Sequence, residues 1–289
     1  TATVYFVATG AGMPVVTASG AGLTLAMQTQ TIDPAPPTKL GFTTPAQGVQ
    51  TTQCSGPVRL STLDPFDNPS NVVGAPLAIM LSANPSTGFS FYAGAGCGGS
   101  AVTSVNIAVG QNTVTYSYRG NTAGMVTMTA DSSLNPDPTQ SATVGVSPPT
   151  NLVYVTTPQT RVANVCSGAV TLEARDPGGN RSNVGSGLTI NLAAAPSAGF
   201  QFFSDSQCTM PITQLTLPAA SSQVSFYWLG TAANAVMMTP TSSLSGPGAQ
   251  TATVLPGPAS AVAFLAPART AVAGVCSQSL TVQSRDAFG

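Results

Sequence analysis

The sequence predicts an all-β chain of tandem two-sheet sandwich repeats, each about 110 residues long. Similar stretches recur about 110–112 residues apart along the 289 residues. Within each stretch, apolar and polar residues alternate along short runs, as in strands with one buried face. These runs end in turn-forming Gly, Asp and Asn. Counting the alternating runs between turns predicts roughly seven or eight short strands per repeat. No stretch has a helical period longer than a turn or two, so the fold class is all-β.

Internal similarity sets the length of the repeat. Three stretches can be aligned on one another, and each leads to a Pro and then to a Cys. They begin at Leu40-Gly41-Phe42, Leu152-Val153-Tyr154 and Val262-Ala263-Phe264. The spacing is the size of one immunoglobulin-like (Ig-like) sandwich.

An alternating run follows the first Cys of each unit. The apolar members are Val58 and Leu60 in one copy, Val170 and Leu172 in the next, and Leu280 and Val282 in the last. Their neighbours, among them Ser61 and Glu173, are polar. A period of two in all three copies predicts a strand with one core face and one solvent face.

A turn is predicted directly after this run. Its residues are Asp64, Asp67, Asn68, Asp176, Gly179, Asn180, Asp286 and Gly289. An Asp can accept hydrogen bonds from backbone amides downstream, and Gly or Asp tolerates the positive φ that closes a hairpin. Oxygen atoms of Asp64, Asp67 and Asn68 could instead bind calcium. The second copy offers only Asp176 and Asn180, so the hairpin turn is the favoured interpretation.

A second alternating run, late in each unit, has an aromatic face. Its members are Val114, Tyr116 and Tyr118, then Val224, Phe226 and Trp228, and at the chain start Ala2, Val4 and Phe6. Trp228 could serve as a platform for stacking a sugar. Because its counterparts Tyr118 and Phe6 are also aromatic, an inward-facing core position is favoured.

Proline-rich joints divide the chain into four predicted parts. Residues 1–37 are the C-terminal part of an Ig-like repeat, 38–149 and 150–258 are complete repeats, and 259–289 are the N-terminal part of a further one. The joints at 33–37, 147–149 and 256–258 favour extended, semi-rigid backbone. We interpret the partial units as pieces of a longer polypeptide.

The five cysteines predict one disulfide in each complete repeat. Cys54 with Cys97 and Cys166 with Cys208 occupy the same places in successive units, whereas the partner of Cys276 would lie beyond Gly289. Metal binding is disfavoured because the chain has no CxxC motif and no His. Disulfides indicate an oxidising compartment, so we expect an extracellular or cell-surface location.

Composition argues against several classes of function. Without His, a Ser-His-Asp or Cys-His arrangement is impossible, and no pair of carboxylates recurs in both complete repeats. We therefore expect no enzymatic activity and no cofactor or metal.

Charged residues make up 6% of the chain against about 25% in ordinary domains, and the net charge is −1. This balance predicts neither a nucleic-acid partner nor an anionic membrane partner, and no apolar run reaches the ~18–20 residues of a membrane span.

Three segments resemble bacterial Ig-like repeats of large secreted surface proteins. They are VTLEARDPGGN at 170–180, GFQFFSDSQC at 199–208 and YRGNTAG at 118–124. The resemblance extends loosely to invasin/intimin-type and filamin-type domains and covers nearly the whole chain. It implies a stalk or fibre without catalytic residues. The chain departs from antibody domains, because its Cys pair joins the start of an early strand to the region after a middle strand.

The leading hypothesis from the sequence is a structural repeat of an extracellular stalk, fibre or filament on a bacterial surface. Its partners would be neighbouring repeats of the same chain and further copies, self-associating into fibres. An alternative is an adhesin module that binds carbohydrate or a cell-surface receptor through loops such as 94–100. A further alternative is a decoration domain of a phage fibre or a secretion machine.

Overall fold

A computed structural model describes all 289 residues, and it contains strands and turns but no helix. The predicted all-β class is confirmed. Accordingly, no helix of the length and apolarity needed to cross a membrane is present. The chain divides into two compact units, Thr1–Ser147 and Pro148–Gly289. The finer boundaries at 37 and 258 stay predictions.

Ten strands form an Ig-like sandwich of two sheets in the first repeat. They are β3 (Lys39–Phe42), β4 (Gly48–Gln50), β5 (Val58–Leu63), β6 (Leu77–Asn84), β7 (Phe89–Ala93), β8 (Ala101–Val102), β9 (Ser104–Ile107), β10 (Thr113–Gly120), β11 (Gly124–Asp131) and β12 (Thr139–Gly145). One sheet has the order β3-β5-β10-β7-β8 and the other β4-β12-β11-β6-β9. The sequence predicts only seven or eight strands, because edge strands of two or three residues are too short to display alternation.

The second repeat has the same architecture with eleven strands. They are β13 (Asn151–Tyr154), β14 (Gln159–Val162), β15 (Val170–Arg175), β16 (Leu188–Asn191), β17 (Ala194–Ala195), β18 (Phe200–Phe203), β19 (Pro211–Ile212), β20 (Gln214–Leu217), β21 (Gln223–Gly230), β22 (Asn234–Met238) and β23 (Gln250–Leu255). The orders are β13-β15-β21-β18-β19, β14-β23-β22-β17 and β16-β20. Its second sheet is thus divided into a four-stranded and a two-stranded part.

The terminal segments contribute two antiparallel strand pairs. β1 (Val15–Ala18) pairs antiparallel with β2 (Ala26–Thr29), and β24 (Ala261–Phe264) pairs antiparallel with β25 (Val282–Arg285). The predicted strand through Ala2, Val4 and Phe6 is wrong, because residues 1–8 form no strand. Its counterpart β10 is hydrogen-bonded between β5 and β7, whereas residues 1–37 hold no strand that flanks the run in this way. Phe6 is consequently 58% exposed rather than inward-facing.

One strand pair in each repeat is parallel. β4 pairs with β12 in the first repeat, with Val49 opposite Val144, and β14 pairs with β23 in the second, with Arg161 opposite Val254. In each case a strand near the start of the repeat lies beside the strand that ends it. The second and last strands of each sandwich, β4 with β12 and β14 with β23, are therefore hydrogen-bonded directly to one another.

Each repeat has its own hydrophobic core between the sheets. The alternation predicted for β5 is present, since Val58 and Leu60 are fully buried while Arg59 is exposed. The polar residues between them do not all follow this alternation. Ser61 is buried, and its hydroxyl donates to the carbonyl oxygen of Asn112 at 3.1 Å.

Glu173 is likewise buried, although the alternation in β15 predicts a solvent-facing side chain. Its carboxylate accepts hydrogen bonds from Arg175 Nε at 2.9 Å and from Gln223 Nε2, and Arg181 Nε lies 3.8 Å away. Partners on β15, on the neighbouring β21 and beyond the turn offset the cost of burying the charge. Partners this distant in sequence cannot be read from the alternation.

A glycine ends β10 and β21 at the same place in the two repeats. A Cβ at Gly120 would overlap the side chain of Val144, and a Cβ at Gly230 would overlap that of Val254. Glycine is thus required here because the opposite sheet packs directly on the backbone.

Candidate functional site

The disulfides join Cys54 to Cys97 and Cys166 to Cys208, across sequence separations of 43 and 42 residues. Cys54 precedes β5 and forms an isolated bridge to Arg119 of β10, whereas Cys97 follows β7. Since β5 and β7 flank β10 in the sheet, the bond ties together the two sides of this central strand. Cys276 is unpaired and exposed.

A serine directly after the first Cys forms two hydrogen bonds with the same central strand. The Ser55 hydroxyl accepts from the Tyr118 N–H at 2.9 Å, and the Ser55 N–H donates to the Tyr118 carbonyl at 2.8 Å. Ser167 makes the same two bonds with Trp228, both at 2.9 Å. Alternation does not identify these serines as functional, although Cys-Ser recurs in all three copies and is a signal for them.

The aromatic face of β10 and β21 lies at the centre of each core. Tyr118 and Trp228 are both 0% exposed, and each stacks on a phenylalanine of the adjacent strand, with centroid separations of 5.1 and 5.2 Å to Phe89 and Phe200. Burial raises the pKa of Tyr118. Its phenol therefore stays neutral and donates to the Gln47 carbonyl at 2.8 Å.

The complete burial of Trp228 decides between the two interpretations of that residue. A sugar-stacking platform must present one ring face to solvent, and this ring presents none. Its Nε1–H has no hydrogen-bond partner, so the ring contributes to stability through packing. The side chain belongs to the core.

The predicted turn at residues 64–68, which we call the Asp–Asn turn, is organised around a buried carboxylate. Asp64 Oδ1 accepts from the N–H groups of Phe66 and Asn68 at 2.8 and 2.9 Å. Asp64 Oδ2 accepts from Asn68 Nδ2 at 2.9 Å and from the Ala35 N–H at 3.0 Å. Burial alone would raise the pKa of Asp64, but the hydrogen bonds from Asn68, Phe66 and Ala35 outweigh it and lower the pKa below its ordinary 3.8.

Most of the side-chain oxygen atoms suggested as calcium ligands at this turn already accept hydrogen bonds or form an ion pair within the protein. All four lone-pair directions of Asp64 accept N–H donors, and the Asp67 carboxylate pairs with Lys39 Nζ at 2.6 Å. Asn68 Oδ1 accepts from the Ala11 N–H at 2.9 Å. These oxygen atoms are engaged within the protein.

The other two copies of the turn have the same local geometry. In the second repeat Asp176 Oδ1 accepts from the Asn180 N–H at 2.8 Å, and Gly179 has a φ of 83°. In the last segment Asp286 Oδ1 accepts from the Phe288 N–H at 3.0 Å, and Gly289 has a φ of 83°. Asp67, with a φ of 71°, occupies the matching place in the first copy.

The loops proposed for receptor or sugar binding differ between the repeats. The loop at 94–100 has no charged residue, and Ser117 Oγ holds it by donating to the Gly94 carbonyl and accepting from the Gly96 N–H. In the second repeat Asp205 accepts from the N–H groups of Thr209 and Met210. Some burial raises the pKa of Asp205, but these bonds together lower it. The carboxylate therefore stabilises its own loop.

No family model matches the chain, and neither does any curated protein. Solved structures of low identity do match. The Escherichia coli adhesin FdeC is 17% identical with a TM-score of 0.36, over 89% of this chain and 77% of FdeC. Domains 5–6 of the S-layer protein SbsC are 12% identical with a TM-score of 0.29, over 77% of this chain and 99% of that one.

An enzyme is also among the matching structures. A glycosyl hydrolase family 2 member from Bacteroides cellulosilyticus is 11% identical with a TM-score of 0.30, over 71% of this chain but 23% of the enzyme. The chain is thus similar to bacterial adhesins and surface-layer domains, the class of protein that its sequence resembles.

Proposed function

We propose that the chain is a non-catalytic, load-bearing tract of tandem Ig-like repeats in an extracellular stalk, fibre or filament on a bacterial surface. The parallel pairing of β4 with β12 and of β14 with β23 is the observation that carries the proposal. Tension applied at the ends of a repeat pulls such strands in opposite directions along their axes. Their hydrogen bonds are then loaded together rather than one after another.

The disulfides supply a second resistance to extension. Cys54 lies just after β4, and its bond to Cys97 closes the intervening chain into a loop. Even when β4 and β12 have separated, the chain within this loop cannot be extended. Disulfide-closed repeats of this kind persist in oxidising surroundings, which supports the extracellular location.

Single-molecule pulling of the oxidised chain is expected to give two unfolding events, one for each complete repeat. After reduction, each event should release the residues of its loop as well, 43 in one repeat and 42 in the other. At about 3.3–3.6 Å per residue, the length gained per event should rise by roughly 140–155 Å.

The matched control is the double variant Cys54→Ala/Cys97→Ala. In this protein only the event of the second repeat should lengthen on reduction. Equal lengths with and without reductant, or unfolding of the reduced and oxidised chains at forces too low to detect, would remove the load-bearing proposal.

Self-association is the finer part of the proposal, and it is supported by the outer face of the second sheet. Thr127, Ser141 and Thr143 are exposed and uncharged there, and Met125 is 70% exposed. A face with so little charge offers little repulsion to a second copy. Sedimentation velocity should show the mean mass rising with concentration, and a constant monomer mass would exclude assembly through this face.

A further inference from the structure

The Asp–Asn turn makes hydrogen bonds outside its own repeat. The N–H of Ala35, which donates to Asp64 Oδ2 at 3.0 Å, belongs to the proline-rich joint before the repeat. Asn68 Nδ2 donates to the Thr9 carbonyl at 2.7 Å, and Asn68 Oδ1 accepts from the Ala11 N–H at 2.9 Å. Thr9 and Ala11 lie in the segment predicted to be the end of the preceding repeat.

A hairpin turn alone does not need these contacts. The bonds from the Phe66 and Asn68 amides to Asp64 Oδ1 already close it. Asp64 Oδ2 and Asn68 Nδ2 bond to each other within the turn. Each also has a partner in the preceding segment, the Ala35 N–H or the Thr9 carbonyl, and Asn68 Oδ1 accepts from Ala11 there. Ser70 adds to them, since its hydroxyl donates to the Ala35 carbonyl at 2.6 Å.

The second unit repeats this arrangement at its own joint. Asp286 Oδ1 accepts from the Phe288 N–H within the turn, as Asp64 does from Phe66. Asp286 Oδ2 accepts from the Gly257 N–H in the preceding joint at 2.8 Å. In both Asp residues Oδ1 therefore accepts from a backbone N–H of the turn, and Oδ2 accepts from a backbone N–H of the joint.

The donors also occupy equivalent places. Ala35 follows Ile32 by three residues, as Gly257 follows Val254. Ile32 is bridged to Gly12, and Val254 is paired with Asn234, in the last hairpin of the respective segments. A recurrence at matching positions in two separate units argues against a chance contact.

The surroundings of Asp286 are formed by both segments. A surface cleft there is lined by Ala233 and Pro256 of the preceding repeat and by Asp286 and Phe288 of the following segment. Ala233 precedes the last hairpin of its repeat by one residue, as Ala11 precedes Gly12.

We propose that the Asp–Asn turn is a docking element, whose partner is the last hairpin and the joint of the segment that precedes its repeat. The turn thereby fixes one module against the next through charge-assisted hydrogen bonds from backbone amides to a carboxylate. This inference rests on the proposed tandem function and names the contact that makes the tandem arrangement stiff.

Hydrogen exchange tests the first joint in the intact chain. In Asn68→Ala the Ala11 amide loses its acceptor, so its exchange should accelerate about three- to tenfold, the loss expected for one net hydrogen bond. Amides of β10 should be unchanged. Asn180→Ala, the same change in the other repeat, should leave Ala11 unaffected. The proposal would be overturned if the Ala11 amide exchanged at the unprotected rate in the parent protein. It would also be overturned if this amide exchanged at the same rate in both variants.

Carboxyl titration by NMR tests the second joint. The hydrogen bond from Gly257 is the main cause of the lowered pKa of Asp286, with a further contribution from Phe288. Gly257→Pro removes the donor, so this pKa should rise toward 3.8, whereas Gly257→Ala keeps the N–H and should leave it low. A pKa that is equal in the two variants would contradict docking through the carboxylate.

The two tests are independent of the pulling experiment. Loss of the joint contacts with normal unfolding events would refute the docking element and leave the load-bearing function standing. Intact joint contacts, together with unfolding at low force that does not depend on reductant, would refute the load-bearing function and leave the docking element standing.

Discussion

Replacing Cys166 and Cys208 together by alanine should lower the free energy of unfolding of the second repeat by about 4 kcal/mol, the entropy of closing a 42-residue loop in the unfolded chain. Trp228 is the single tryptophan of the chain and lies in the core of this repeat. Its fluorescence during chemical denaturation therefore reports on the second repeat alone.

Two controls belong to this measurement. Cys54→Ala/Cys97→Ala should leave the Trp228 transition unchanged, because it acts on the other core. Cys276→Ala should have no effect on it, since Cys276 has no partner. If loss of Cys166 and Cys208 changed the transition by less than about 1 kcal/mol, the disulfide would not be the main covalent support of its repeat.

Trp228→Ala should destabilise the second repeat by about 3–5 kcal/mol, the cost of removing a large, fully buried aromatic side chain. The loss combines the buried area of the indole with the stacking on Phe200. Circular dichroism during denaturation measures it, because the fluorescent reporter is removed.

Trp228→Tyr is the matched control, because Tyr118 fills the same place in the first repeat. The indole N–H has no partner to lose, and a phenol ring leaves a smaller cavity than a methyl group, so this change should cost less than Trp228→Ala. A nearly neutral Trp228→Ala would mean that the ring lies at the surface, and the sugar-stacking interpretation would have to be taken up again.

Short-range periodicity explains why much of the fold could be predicted. A strand with one buried face repeats every two residues, and Val58, Leu60, Val170 and Leu172 are buried as this period requires. The same reasoning failed for residues 1–8, because a periodic run becomes a strand only where neighbouring strands can pair with it. Periodicity also gave no indication of β4, which has three residues.

The parts of the site that were not predicted depend on contacts between distant residues. Alternation places Glu173 on the solvent face, but Gln223, 50 residues away, helps to keep it buried. The hydrogen bond between Asn68 and Thr9 spans 59 residues and joins two segments. A local turn pattern identifies the Asp and the Asn but not what their side chains bind.

Peptide mapping by mass spectrometry of the unreduced protein tests most directly that each complete repeat folds around its own core and is closed by its own disulfide. We expect linked peptides containing Cys54 with Cys97 and Cys166 with Cys208, and a free thiol at Cys276. A link between Cys54 and Cys166, or free thiols at both, would contradict the account.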